Sequence, residues 1–182
     1  MITVRLAVPE DGPGVARVQV EGWQQHYRGL IPDAYLDGLD REMYALRWRE
    51  RISQPEHGGS TFTMVASAAG DPAGEVIGFA FGCRERERGD PLLGEVAAIY
   101  VLDSHQGSGT GRKLMVALAD RLANLGCRRL LIWVLAENHS ARRFYEAMGG
   151  RAAETRVREI GGADLPEVGY AWDDLTRLAG GR

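Results

Sequence analysis

The run Gln106-Gly107-Ser108-Gly109-Thr110-Gly111-Arg112 sets three glycines ahead of an amphipathic stretch, an arrangement suited to holding phosphate. A helix N-terminus offers an anion free N–H groups and the positive end of the helix dipole. Glycines there let the backbone approach a phosphate without a Cβ in the way and permit positive φ. Two common phosphate motifs fail on inspection. A P-loop has glycine directly before its lysine, whereas Arg112 precedes Lys113. A dinucleotide fingerprint begun at Gly107 and Gly109 needs glycine at position 112, which is arginine. What remains is Gln-x-x-Gly-x-Gly, on Gln106, Gly109 and Gly111. A second pair of polar groups, Asn138 and Tyr145, lies seven residues apart in a helical run, so the two share a face. His26, His57, His105 and His139 show no metal-ligand spacing, and no metal is implied.

These residues need elements to position them. Ile2 to Ala7 alternates as a strand, and Pro9-Glu10-Asp11 opens a helix running to about Gly29. Pro32 begins a second helical stretch to about Ile52, and residues 54–60 read as a loop. Thr61 to Ser67 and Glu75 to Cys83 read as strands joined by a turn at Gly70 to Pro72. The charged segment Arg84 to Gly89 reads as a solvated strand end or hairpin, and Gly94 to Val101 as a further strand. Gly109 to Leu125 carries Leu114, Leu118, Leu122 and Leu125 at helical spacing, with Gly126 as its cap. Arg129 to Leu135 is a strand, Asn138 to Met148 a helix, and residues 152–160 and 165–172 form a hairpin turning at Gly161-Gly162. The predicted fold is α/β (α+β): a mixed, mostly antiparallel sheet of about seven strands flanked by about four helices, in one domain spanning residues 1–182.

Composition narrows the function classes. At 45% hydrophobic and 26% charged residues, the chain can bury a core without staples. A net charge of −3 and scattered arginines give no basic stripe, so no nucleic-acid partner is expected. Cys83 and Cys127 read as reduced, mostly buried thiols. The longest apolar run, Val96 to Leu102, is too short to cross a bilayer, and no signal peptide is read at the start. A cytoplasmic location with no membrane partner is expected.

With its glycine loop between an apolar strand and an amphipathic helix, and with Trp133 to Gly150 (WVLAENHSARRFYEAMGG) downstream, the sequence resembles the GNAT superfamily of N-acetyltransferases. The resemblance runs from the first strand to the final hairpin. It implies acetyl transfer from acetyl-CoA, as cosubstrate, to an amine by direct attack in a ternary complex. It also implies that Ile99, Tyr100 and Val101 offer backbone groups to pantetheine and the acetyl oxygen. Gln106, Gly107, Ser108, Gly109, Thr110, Gly111 and Arg112 would hold the pyrophosphate. Asn138 would sit near the pantetheine arm, with Tyr145 at the sulfur as general acid for the departing thiolate. An N-cap for Asn138 is compatible with that role, and a core aromatic is the other reading of Tyr145. Small members of the family often form homodimers.

Two further assignments come with the resemblance. Glu95 lies eleven residues before Gln106, where the histone-acetylating branch carries its catalytic Glu; an ordinary solvated carboxylate at a strand start is the other reading. The branch that acetylates ribosomal-protein N-termini has its base five residues before the Asn, and Trp133 stands there instead. The acceptor pocket would lie over the first two helices and the last hairpin, with Trp23, Tyr27 and Tyr35 as candidate walls, although an aromatic stripe on a helix is more often core. A non-catalytic acyl-CoA-binding module and an O-acyl acceptor are the alternatives. The acceptor itself is left open.

Overall fold

The computed structural model describes residues 2–53, 60–68 and 74–179. Its strands are β1 (Ile2–Leu6), β2 (Thr61–Ala68), β3 (Val76–Arg84), β4 (Leu93–Val101), β5 (Arg129–Leu135), β6 (Arg151–Ile160) and β7 (Ala163–Trp172). They form one sheet in the order β1-β2-β3-β4-β5-β7-β6. Only β4 and β5 pair in parallel; the other neighbours are antiparallel. The helices are α1 (Gly12–His26), α2 (Asp33–Asp37), α3 (Arg41–Ser53), α4 (Thr110–Asn124), α5 (His139–Ala147) and α6 (Thr176–Ala179).

Helices cover both faces of the sheet. On one face α4 buries Leu114, Met115, Leu118 and Leu122 in the main core, shared with Ile132, Val134, Tyr170 and Trp172. Those leucines recur every four residues, which keeps them on one helical stripe. On the other face α1 and α3 bring Val15, Val18 and Trp48 against Val65, Phe79 and Phe81. Gly14 allows α1 to lie close: a Cβ there would stand 2.8 Å from the side chain of Val76. A third cluster, Ile31, Leu36 and Leu135 with Ile160 and Leu165 against it, ties the α1–α2 corner to the tip of the last hairpin.

The expected single helix after Pro32 is two helices. α2 stops at Gly38, and Asp40 starts α3 by accepting from the N–H groups of Glu42 (2.9 Å) and Met43 (3.0 Å). An Asp able to satisfy first-turn donors competes with helix continuation. With this split and the short α6, the described residues hold six α-helices where about four were expected. The Arg84–Gly89 hairpin is more than a solvated end. Glu85 is buried and accepts from the N–H groups of Glu87 and Arg88, while Arg88 reaches Glu154 on β6 at 2.7 Å. The tight turn at Gly161-Gly162, with φ of 60° and 83°, joins β6 to β7 as its glycines suggest. Cys83 and Cys127 are both buried. The loop expected at 54–60 and the turn expected at 70–72 fall, apart from Ser60, outside the described residues. Among the described residues no helix is long and apolar enough to cross a membrane.

Candidate active site

The sheet opens where β4 and β5 part. Their pairing runs from Leu93↔Arg129 to Val96↔Ile132 and stops there, while β5 continues along β7 to Leu135. The cause lies on β4. Opposite β3, Phe81 pairs with Ala98 and Gly82 with Val96, so Ala97 is an extra, unpaired residue. Such a bulge bends its strand and ends regular pairing. Glycine at 82 belongs to the same feature, since a Cβ there would meet the Glu95 carbonyl at 2.8 Å. Beyond the bulge, Leu102 N–H still bonds the Ile77 carbonyl on β3. By alternation, the backbone groups of Ile99 and Val101 then face the open side.

The opening is a cleft of about 460 Å³, within the usual range for small-molecule sites. Ile99, Tyr100 and Val101 form one wall, Trp133 and Val134 another, and Asn138, Phe144 and Tyr145 of the α5 region a third. Gln106, Gly107, Gly109, Gly111 and Arg112 close one end. Gly107 (φ 71°) and Gly109 (φ 82°) adopt the left-handed conformation, with open space where a Cβ would stand. The loop therefore exposes backbone at the start of α4. That open cradle of N–H groups fits a pyrophosphate. Ser108 and Thr110 turn their hydroxyls to each other at 2.7 Å and do not line the cleft. The Gln106 amide donates to Asp103 Oδ1 (2.8 Å) and the Val101 carbonyl (3.2 Å), so its side chain braces the turn.

Asn138 caps α5, its Oδ1 accepting from Ala141 N–H at 3.1 Å, and it also lines the cleft. Tyr145 follows on the same helical face, buried among Phe144, Tyr170 and Trp172. Burial, and next the neighbouring Tyr27, hold its phenol far above the ordinary tyrosine pKa. That shift favours the protonated phenol. Tyr100 is likewise raised, chiefly by burial, and accepts from Trp23 Nε1 at 2.8 Å. Its ring fits against α1 because Gly22 lacks a side chain; a Cβ there would lie 3.1 Å away.

Of the three aromatic residues expected near an acceptor, Tyr27 lines the cleft. Its hydroxyl lies 3.4 Å from that of Tyr100. Trp23 stands behind these two, and Tyr35 packs over the Gly161 turn; neither reaches the cleft wall. Glu95 is also outside the wall, at the base of the bulge, with its side chain 13% exposed and 3.5 Å from Arg86. Burial raises its pKa, opposed by the Arg86 charge. Trp133, noted only as a departure from one branch, is a wall residue, and His26 at the end of α1 is another. His26 Nε2 sits 2.9 Å from Asp103 Oδ1 and 3.1 Å from the Gln106 amide nitrogen. Nothing in the local sequence marks His26; only the fold brings it to the loop. Among the described residues no three His, Cys, Asp or Glu side chains group as a metal site.

The sequence and the fold have known counterparts. Residues 22–150 fit the family model described as Acetyltransferase (GNAT) family. The N-acetyltransferase YuaI of Bacillus subtilis (strain 168) is 34% identical over 178 residues, covering 98% of this chain and 96% of that protein. The N-acetyltransferase Rv2775 of Mycobacterium tuberculosis is 29% identical, covering 93% of this chain and 92% of its own. The structure of yncA from Salmonella typhimurium with acetyl-CoA shares the fold at a TM-score of 0.69 and 20% identity, covering 96% of this chain and 94% of that one. The chain belongs to the acetyltransferase (GNAT) family and is an N-acetyltransferase.

Proposed function

We propose that the protein moves acetyl from acetyl-CoA to the amine of a small molecule or peptide by direct attack in a ternary complex. The observation that carries this reading is the parting of β4 from β5 at Val96↔Ile132, in line with the open glycine loop at the start of α4. The neighbours yncA, with acetyl-CoA, and paia N-acetyltransferase from Thermoplasma acidophilum, in complex with coenzyme A, support the choice of donor.

Acetyl-CoA supplies a thioester whose carbonyl the amine attacks. The loop at 107–112 receives its pyrophosphate, and Ile99 and Val101 offer backbone groups along the open edge. An N–H directed at the thioester oxygen stabilises the charge that develops there, most effectively in a dry site. Tyr145 donates a hydrogen bond to the departing sulfur. Even an unperturbed phenol loses about 2 kcal/mol in giving its proton to the thiolate of a thiol of ordinary pKa. Burial raises the Tyr145 pKa further, which favours donation without early transfer.

The amine needs its lone pair. For a lysine-like amine at pH 7, deprotonation costs about 4.6 kcal/mol. Glu95 is the proposed proton acceptor, acting through water because it stands back from the cleft wall. Its raised pKa brings it nearer to a useful base. The test is thiol release from acetyl-CoA against a panel of amines. The expected result is release that depends on both acetyl-CoA and an amine. Binding of acetyl-CoA with no amine-dependent release would leave only an acyl-CoA-binding role.

A further inference from the structure

The wall residue Trp133 carries a fixed cation on its ring. The Arg156 guanidinium carbon lies 4.0 Å from the Trp133 centroid, in stacking distance. Gly169, opposite Trp133 on β7, makes room for the ring, since a Cβ there would stand 3.2 Å from it. Arg156 Nε donates to Glu167 Oε2 at 2.6 Å, and Glu167 is only 5% exposed. One side of the guanidinium is thus held by a buried carboxylate and its plane by an indole. Its terminal side is held loosely: Nη1 lies 3.8 Å from Oε2 of Glu87, whose side chain is 78% exposed.

Two neighbouring guanidiniums have carboxylate partners of their own. Arg88 is matched to Glu154 at 2.7 Å and Arg86 to Glu95 at 3.5 Å. Arg156 and Arg158 share Glu167, with Arg158 59% exposed and 3.9 Å away. An always-charged, planar, pre-oriented guanidinium is suited to bidentate capture of a carboxylate. The loose contact with exposed Glu87 is of the kind that contributes little and is easily displaced.

We propose that the acceptor is an amino acid, a small amine that also bears a carboxylate, and that Arg156 binds this carboxylate where Glu87 now sits. Trp133 and Glu167 act as positioning residues for Arg156. The proposal rests on the acetyl-transfer reading above and adds the acceptor class to it.

The experiment compares amino acids of varied amine-to-carboxylate spacing with their carboxamides and decarboxylated amines, by thiol release from acetyl-CoA. The best free acid should exceed its own carboxamide at least tenfold in kcat/KM, the scale of a charge-assisted bidentate contact. Arg156→Gln should abolish that preference. Glu87→Gln, at an exposed position that folding tolerates, should lower KM for the acids two- to fivefold and leave the carboxamides unchanged. Equal use of acids and carboxamides, preference for decarboxylated amines, turnover of neither set, or an unchanged KM for acids in Glu87→Gln would overturn the proposal. An acetyl-CoA thermal shift measured alongside separates the two levels. If the shift is present and the panel fails, only the acceptor class falls; if the shift is absent, the acetyl-transfer reading falls with it.

Discussion

Tyr145 shows how burial decides a role. A phenol held above its ordinary pKa is a poor source of protons but a persistent hydrogen-bond donor, and its service is to the sulfur as charge develops. Tyr145→Phe should therefore lower kcat by roughly 100-fold, the lower range for such groups, with little change in KM for acetyl-CoA. Steady-state kinetics at saturating acceptor check this; an unchanged kcat with raised KM would make the residue a packing aromatic. Glu95 is open to a thermodynamic check. Burial raises its pKa, so the folded chain holds this proton more tightly than the unfolded chain. Its contribution to stability is complete below the unfolded pKa of about 4.3 and is lost as pH rises through the folded value. Glu95→Gln removes that dependence. The melting temperature of the variant relative to the wild type should climb from about pH 4 upward, as measured by thermal melts across pH. A flat or falling difference would show that the Arg86 pair outweighs burial. The glycine loop, Asn138 and Tyr145 were legible because their spacing is itself the signal. Trp133, Arg156 and Glu167 were not, because their chemistry depends on strands that meet only in the sheet.

At the scale of elements, the decisive feature is a strand made to leave its neighbour. Ala97 is the extra residue, and nothing in the run Glu95 to Val101 distinguishes a bulge from regular alternation. The strand was legible, but its parting from β5 was not, because register is a property of pairs. The same holds after Pro32, where apolar spacing suggested one helix and the local hydrogen bonds of Asp40 made two. The start of α4 was readable because a left-handed residue directly before a helix calls for glycine. Gly109→Val introduces a β-branched side chain at φ 82°, a conformation such residues rarely adopt. The variant should lose the stabilisation that acetyl-CoA gives the wild type, as well as some intrinsic stability. Thermal melts with and without acetyl-CoA check this; a full ligand shift in the variant would remove the loop from the binding site.

Over the whole molecule, the sheet order places the bulged strand, the loop and α5 around one opening, with His26 and Tyr27 from the end of α1 on its wall. The mixed, mostly antiparallel sheet was legible from the succession of periodic segments. The way the β3–β4 hairpin reaches β6 through Arg88 and Glu154 was not, because a run of alternating charges looks solvated until its partners are placed. The central claim is that this opening is built for acetyl-CoA. The most direct measurement is the thermal stability of the wild-type protein with acetyl-CoA, set against ATP and NAD as controls. At about a hundred times its dissociation constant, acetyl-CoA should add about 2.7 kcal/mol of stability while the two nucleotides add none. No shift at millimolar acetyl-CoA, or an equal shift with ATP or NAD, would contradict it.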